Sequence, residues 1–174
     1  MTTVTLPTEP TPPGAPGPAA PWLPLPGHYK VAPGRSLVEL TALCGPLPVR
    51  RRRLTLAEAT LTVPETPGHP TLRFEFDDTH LKGVLTLDQA HETSGTAQLT
   101  GDLRLDDSDG PDGPEATDFP VLLRLRVVER ADDRLLGVGV ARLPYRLLRR
   151  ATGFRFGRLR PATRLRLLIA GEFA

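Results

Sequence analysis

A chain of 174 residues, 39% of them hydrophobic, fits one domain and is long enough to bury a core without a disulfide or a metal. Its single cysteine, Cys44, excludes an intramolecular disulfide, and no stretch approaches the ~20 apolar residues of a membrane-spanning helix. The net charge of +2 hides a split: residues 1–118 carry 9 Lys+Arg against 16 Asp+Glu, and residues 119–174 carry 13 Arg against 4 acids.

Such a split marks an anionic partner or two halves of one domain that attract each other. The N-terminus has no basic n-region, and Thr, Pro and Glu interrupt any apolar run, so it does not read as a signal peptide. The expectation is a soluble, cytoplasmic protein without an integral membrane segment.

Residues 1–26 hold nine prolines and read as a disordered leader, because proline removes backbone donors and favours an extended chain. The body, 27–174, reads as one strand after another. His28–Ala32 is a short strand. Ser36–Leu43 alternates, with Val38, Leu40 and Ala42 on one face. Gly45-Pro46-Leu47-Pro48 breaks it. Arg50–Arg53 enters a strand over Leu54–Val63, where a parity change predicts a bulge near Ala57-Glu58.

Leu72, Phe74 and Phe76 alternate with Arg73, Glu75 and Asp77. Leu81–Leu87 and Thr96–Leu105 follow as strands, then an acidic Gly/Pro loop over Asp106–Thr117. Phe119–Glu129 puts Val121, Leu123, Leu125 and Val127 on one face. Arg134–Leu143 lines up Gly137, Gly139 and Ala141, which signals close approach or curvature. Pro144–Arg150 suits a helical turn and Gly153–Gly157 a short strand. Thr163–Phe173 closes the chain. Eight or nine strands without helical periodicity predict an all-β, antiparallel barrel or sandwich.

The sequence offers little chemistry. The four histidines show no metal-ligand spacing, and Asp77-Asp78-x-His80 has no second cluster. The acidic loop fails as a calcium loop: with Gly110 in sixth place, Leu105 and Ala116 occupy the first and twelfth. No nucleophile elbow or phosphate-binding loop is present, and Cys44 has no evident base. The expectation is a non-enzyme without cofactor or metal. Nucleic acid is disfavoured, because alternating Arg and apolar residues are what any strand with one wet face shows.

Gly27-His28-Tyr29-Lys30-Val31-Ala32-Pro33-Gly34-Arg35-Ser36-Leu37-Val38-Glu39-Leu40 resembles the opening of YceI-like proteins. Leu99-Thr100-Gly101-Asp102-Leu103-Arg104-Leu105 looks like that family's internal strand, and Phe119-Pro120-Val121 like the Pro-Val strand that follows it. Gly157–Ala162 and Leu165–Phe173 resemble its closing loop and last strand. The family's Arg-Asp-x-His-Leu-Arg stretch is missing, with His80-Leu81-Lys82 in its place. The resemblance implies a lipocalin-like barrel of about eight strands that encloses a polyisoprenoid.

On that reading the protein binds an elongated apolar molecule, a polyisoprenoid or isoprenoid quinone. Strand parity gives the lumen candidates Val38, Leu40, Leu72, Phe74, Phe76, Leu103, Leu105, Leu123, Leu125, Leu165, Leu167 and Ile169. Arg142 and Arg155 are candidates for a polar head group at the barrel mouth. The rival reading is a ligand-free interaction module that docks through its Arg-rich surface or proline leader; a homodimer fits either. A third is an anionic-polymer binder. A lumen packed solid with Leu and Phe favours the module, and an open apolar tunnel favours the lipid binder.

Overall fold

The computed structural model describes residues 22–78, 81–93, 96–105, 117–145 and 164–174. Their strands are β1 (Gly27–Cys44), β2 (Leu47–Leu54), β3 (Leu56–Val63), β4 (Thr71–Asp78) and β5 (Leu81–Thr93), then β6 (Thr96–Leu105), β7 (Thr117–Ala131), β8 (Arg134–Leu143) and β9 (Arg164–Phe173). Every pairing is antiparallel, and each strand from β3 to β9 pairs with the next. β9 then pairs with β1, which closes an eight-stranded barrel.

β1 carries the closure. The sequence suggests two strands here; the structure has one strand of 18 residues, bent at Pro33-Gly34-Arg35. Gly34 has φ of 80°, a left-handed conformation that costs glycine little, and the β1–β9 register shifts across it, between Val31 and Ser36. The half before the bend pairs with β3, and the half after it pairs with β2. β2 and β3 flank Thr55 and run alongside β1 in succession, so they act as one interrupted strand.

The expected bulge is present, as a register shift between Leu56 and Glu58. Three more, at Leu87/Gln89, Val127/Glu129 and Ala42/Leu43, are not evident from the sequence. The first explains why β5 runs to Thr93 rather than stopping at Leu87: Asp88 is the extra residue, and inward parity passes from Leu87 to Ala90. Bulges add bend and twist, which a sheet needs to close on itself.

β8 and β9 alternate strictly between buried and less buried residues, as half-buried strands should. One boundary moves. Trp22 and Leu23 join the core rather than the leader, and Leu25 N–H donates to Asp132 O at 3.0 Å. Of the segment Pro144–Arg150 only Pro144 and Tyr145 are described. The acidic loop before Thr117, the Gly153–Gly157 segment, His80 and Arg155 lie outside the described residues.

Candidate functional site: the barrel lumen and its far end

All twelve lumen candidates are buried, none more than 4% exposed. Register brings others beside them. Leu61 faces Leu72 across β3–β4, Leu85 faces Leu103 across β5–β6, and Leu99 faces Leu123 across β6–β7. Their parity within already legible strands was the available signal. Phe74 and Phe173 meet edge-on inside the barrel, with ring centroids 6.2 Å apart.

The lumen is tightly filled along these residues. Leu40, Leu72, Leu99, Leu103, Leu123 and Leu165 have no surface that water can reach. β8 makes room for two of the inward leucines. A Cβ on Gly139 would sit 2.9 Å from Leu123 Cδ2, and one on Gly137 would sit 2.9 Å from Leu125 Cδ1. Small residues opposite large ones let side chains interdigitate across a narrow barrel.

One end is plugged. Trp22 and Leu23 pack there, and Tyr29 Oη donates to Leu25 O at 2.7 Å and to Asp132 O at 3.3 Å. The β3–β4 and β7–β8 turns and the final residue, Ala174, share that end, since Ala174 and Lys30 exchange both backbone hydrogen bonds. The far end carries the β1–β2 turn, the end of β8 and the start of β9.

Arginines line that far end on both faces of the wall. Arg50 and Arg52 pair with Ala42 and Leu40, so they share the inward register. Arg52 is partly buried, with Nη1 fully so. Arg142, the proposed head-group residue, is instead exposed on the outer wall, directly opposite Arg166. With Arg124, Leu122 and Val140 it borders an outer groove of about 300 Å³. Leu54 shares the parity of Arg50 and Arg52, so their inward register was readable from the sequence.

The next positions along this outer row are Thr41 and Arg51. Thr41 is fully buried and donates to Glu39 Oε1 at 3.1 Å, and Arg51 lies 3.8 Å from the same carboxylate. Arg166 Nε is buried without a hydrogen-bond partner. Among the described residues no acid pairs with Arg124, Arg126, Arg142 or Arg166.

The opposite wall is balanced. Lys30 pairs with Glu58 at 2.8 Å, Arg104 with Asp118 at 3.0 Å, and Lys82 with Asp77 at 3.3 Å. The hydrogen bond from Lys30 holds the Glu58 carboxyl below the usual carboxylate range, and that from Arg104 does the same for Asp118. Both pairs are exposed and tie neighbouring strands together.

Among the described residues no group of three metal-capable side chains comes together. His69 and His91 are ring neighbours at 6.3 Å, and His28 Nδ1 hydrogen-bonds Thr62 Oγ1 at 2.9 Å. No described helix is long and apolar enough to cross a membrane. No protein-family model and no curated protein sequence matches the chain.

Proposed function

We propose that the protein is a non-catalytic binder of an elongated apolar molecule of the polyisoprenoid or isoprenoid quinone type. The observation that supports this best is the inward face of the closed barrel, apolar along β1 and β3 to β9 and plugged at one end. The resemblance of Gly27–Leu40 and Leu99–Leu105 to YceI-like strands points the same way.

A barrel of eight strands is just wide enough to be filled by side chains or to hold one small ligand. Here its own leucines fill much of it, so a guest enters from the far end and displaces them. Leu123 and Leu125 swing off Gly139 and Gly137, and the buried apolar area supplies the affinity. Arg50 and Arg52 replace Arg142 as candidates for holding a phosphate or carbonyl head group at the mouth, because of their inward register.

A second reading has its own observation. The filled lumen favours a solid barrel that works as an interaction module through its arginine-rich wall. Native mass spectrometry of protein from its own host, followed by organic extraction, separates the two. A stoichiometric lipophilic adduct is expected. A clean apo mass, with no quenching of the single tryptophan, Trp22, on titration with a long-chain quinone, overturns the carrier reading and leaves the module.

A further inference from the structure

We propose that the far end of the barrel docks on an anionic lipid bilayer, with the tip of the β1–β2 hairpin seated among the headgroups. The inference does not depend on what the lumen holds.

The tip is apolar and exposed. Cys44 to Val49 are all exposed, and none has a charged or hydrogen-bonding side chain other than the thiol. Leu47 is 67% exposed and Val49 46%. Two-residue hairpin loops are commonly polar, so an uncovered Pro-Leu-Pro-Val run is costly unless something apolar meets it.

A basic collar stands directly behind the tip. Arg50, Arg51 and Arg53 are exposed on β2. On the neighbouring β9, Arg164 faces Leu43 of the same hairpin, and Arg142 on β8 stands opposite Arg166 in the row of Thr41 and Arg51. Glu39 is the acid within this row set. The chain between β8 and β9 cannot neutralise it, since residues 146–163 contain six arginines and no Asp or Glu. Arginines that ring a small apolar tip match the headgroup plane of an anionic bilayer, with the apolar residues just below it.

The described remainder of this end carries both signs, with Lys82 paired to Asp77 and Arg104 to Asp118, and it holds further acids. Asp77 and Asp78 close β4, and the chain joining β6 to β7 carries Asp106, Asp107, Asp109, Asp112 and Glu115. A bilayer therefore meets the β8–β9–β1–β2 sector edge-on, and the acidic sector tilts away from it. Nucleic acid fits this surface less well. No Phe, Tyr or Trp of the described residues is exposed to stack on bases, and Leu47 and Val49 gain nothing from a phosphate backbone.

The test is co-sedimentation of the full chain with vesicles of phosphatidylglycerol and phosphatidylcholine, and with phosphatidylcholine alone, free of isoprenoids. Binding to the anionic vesicles only, weakening with salt, is expected. L47D/V49D is expected to weaken it about tenfold or more, and R51Q/R53Q/R164Q about a hundredfold, near fivefold per charge. All five positions are exposed, so unchanged thermal melts serve as the folding control. The proposal fails if the wild type ignores anionic vesicles or binds neutral ones equally. It also fails if L47D/V49D binds like the wild type, with heparin competing, which makes the surface a general polyanion patch. Salt-sensitive self-association in place of vesicle binding, with the basic sector of one copy on the acidic sector of another, overturns it as well. Loss of quinone uptake in any variant bears on the carrier reading alone.

Discussion

Gly101 sits where β6 passes the bulge in β5. A Cβ there would lie 1.9 Å from Thr86 O and 2.7 Å from Leu87 Cα, both backbone atoms that cannot move without undoing the register. Gly101→Ala is therefore expected to cost more than about 3 kcal/mol or to prevent folding. Gly139→Ala meets the side chain of Leu123, from Cδ2 at 2.9 Å to Cγ at 3.1 Å, rather than backbone, and about 1–3 kcal/mol is expected. Urea denaturation of the two variants checks the contrast, and equal costs would refute the packing argument. Tyr29→Phe removes the two hydrogen bonds from its hydroxyl to Leu25 O and Asp132 O. A loss of about 1 kcal/mol follows, with a red shift of Trp22 emission as the plug loosens.

Among the elements, β3 and the first half of β1 are tied by the Lys30–Glu58 pair. The Glu58 carboxyl titrates below its ordinary value of 4.5. Its contribution is thus present above that value and lost as pH falls through the lower, folded one. The pair is exposed, so the effect is small. Urea midpoints of Glu58→Gln and wild type should differ at pH 6 and draw together as the pH falls through the lowered pKa of this carboxyl; a constant gap would assign the effect to something other than this charge. Much of this sheet was legible. β6 and β8 match the expected Thr96–Leu105 and Arg134–Leu143, because their alternation is unbroken. β1 and β5 run longer than their pattern indicates, because an irregular residue, Gly34 or Asp88, lets each strand continue past a break. The site was legible in part. Parity found the lumen leucines, but whether they fill the lumen depends on neighbours across the barrel, such as Gly139 beneath Leu123, which no single strand reveals.

For the whole molecule, the split of charge along the chain becomes a split around the wall. Arg124, Arg126, Arg142 and Arg166, on the neighbouring strands β7, β8 and β9, have no partner acid among the described residues, and Arg142 stands directly opposite Arg166. Like charges in that position destabilise a sheet. Sulfate is expected to raise the melting temperature by roughly 2–4 °C over chloride at equal ionic strength, and Arg142→Gln is expected to reduce that difference. An undiminished difference would mean general salt exclusion instead. The closure of the barrel has a further consequence. Trp22 and Ala174 both sit at the plugged end, opposite the arginine-collared hairpin. Any tether, tag or fused partner attached through Ala174 holds the barrel by its base, so immobilisation on a sensor chip presents every molecule with the same end outward.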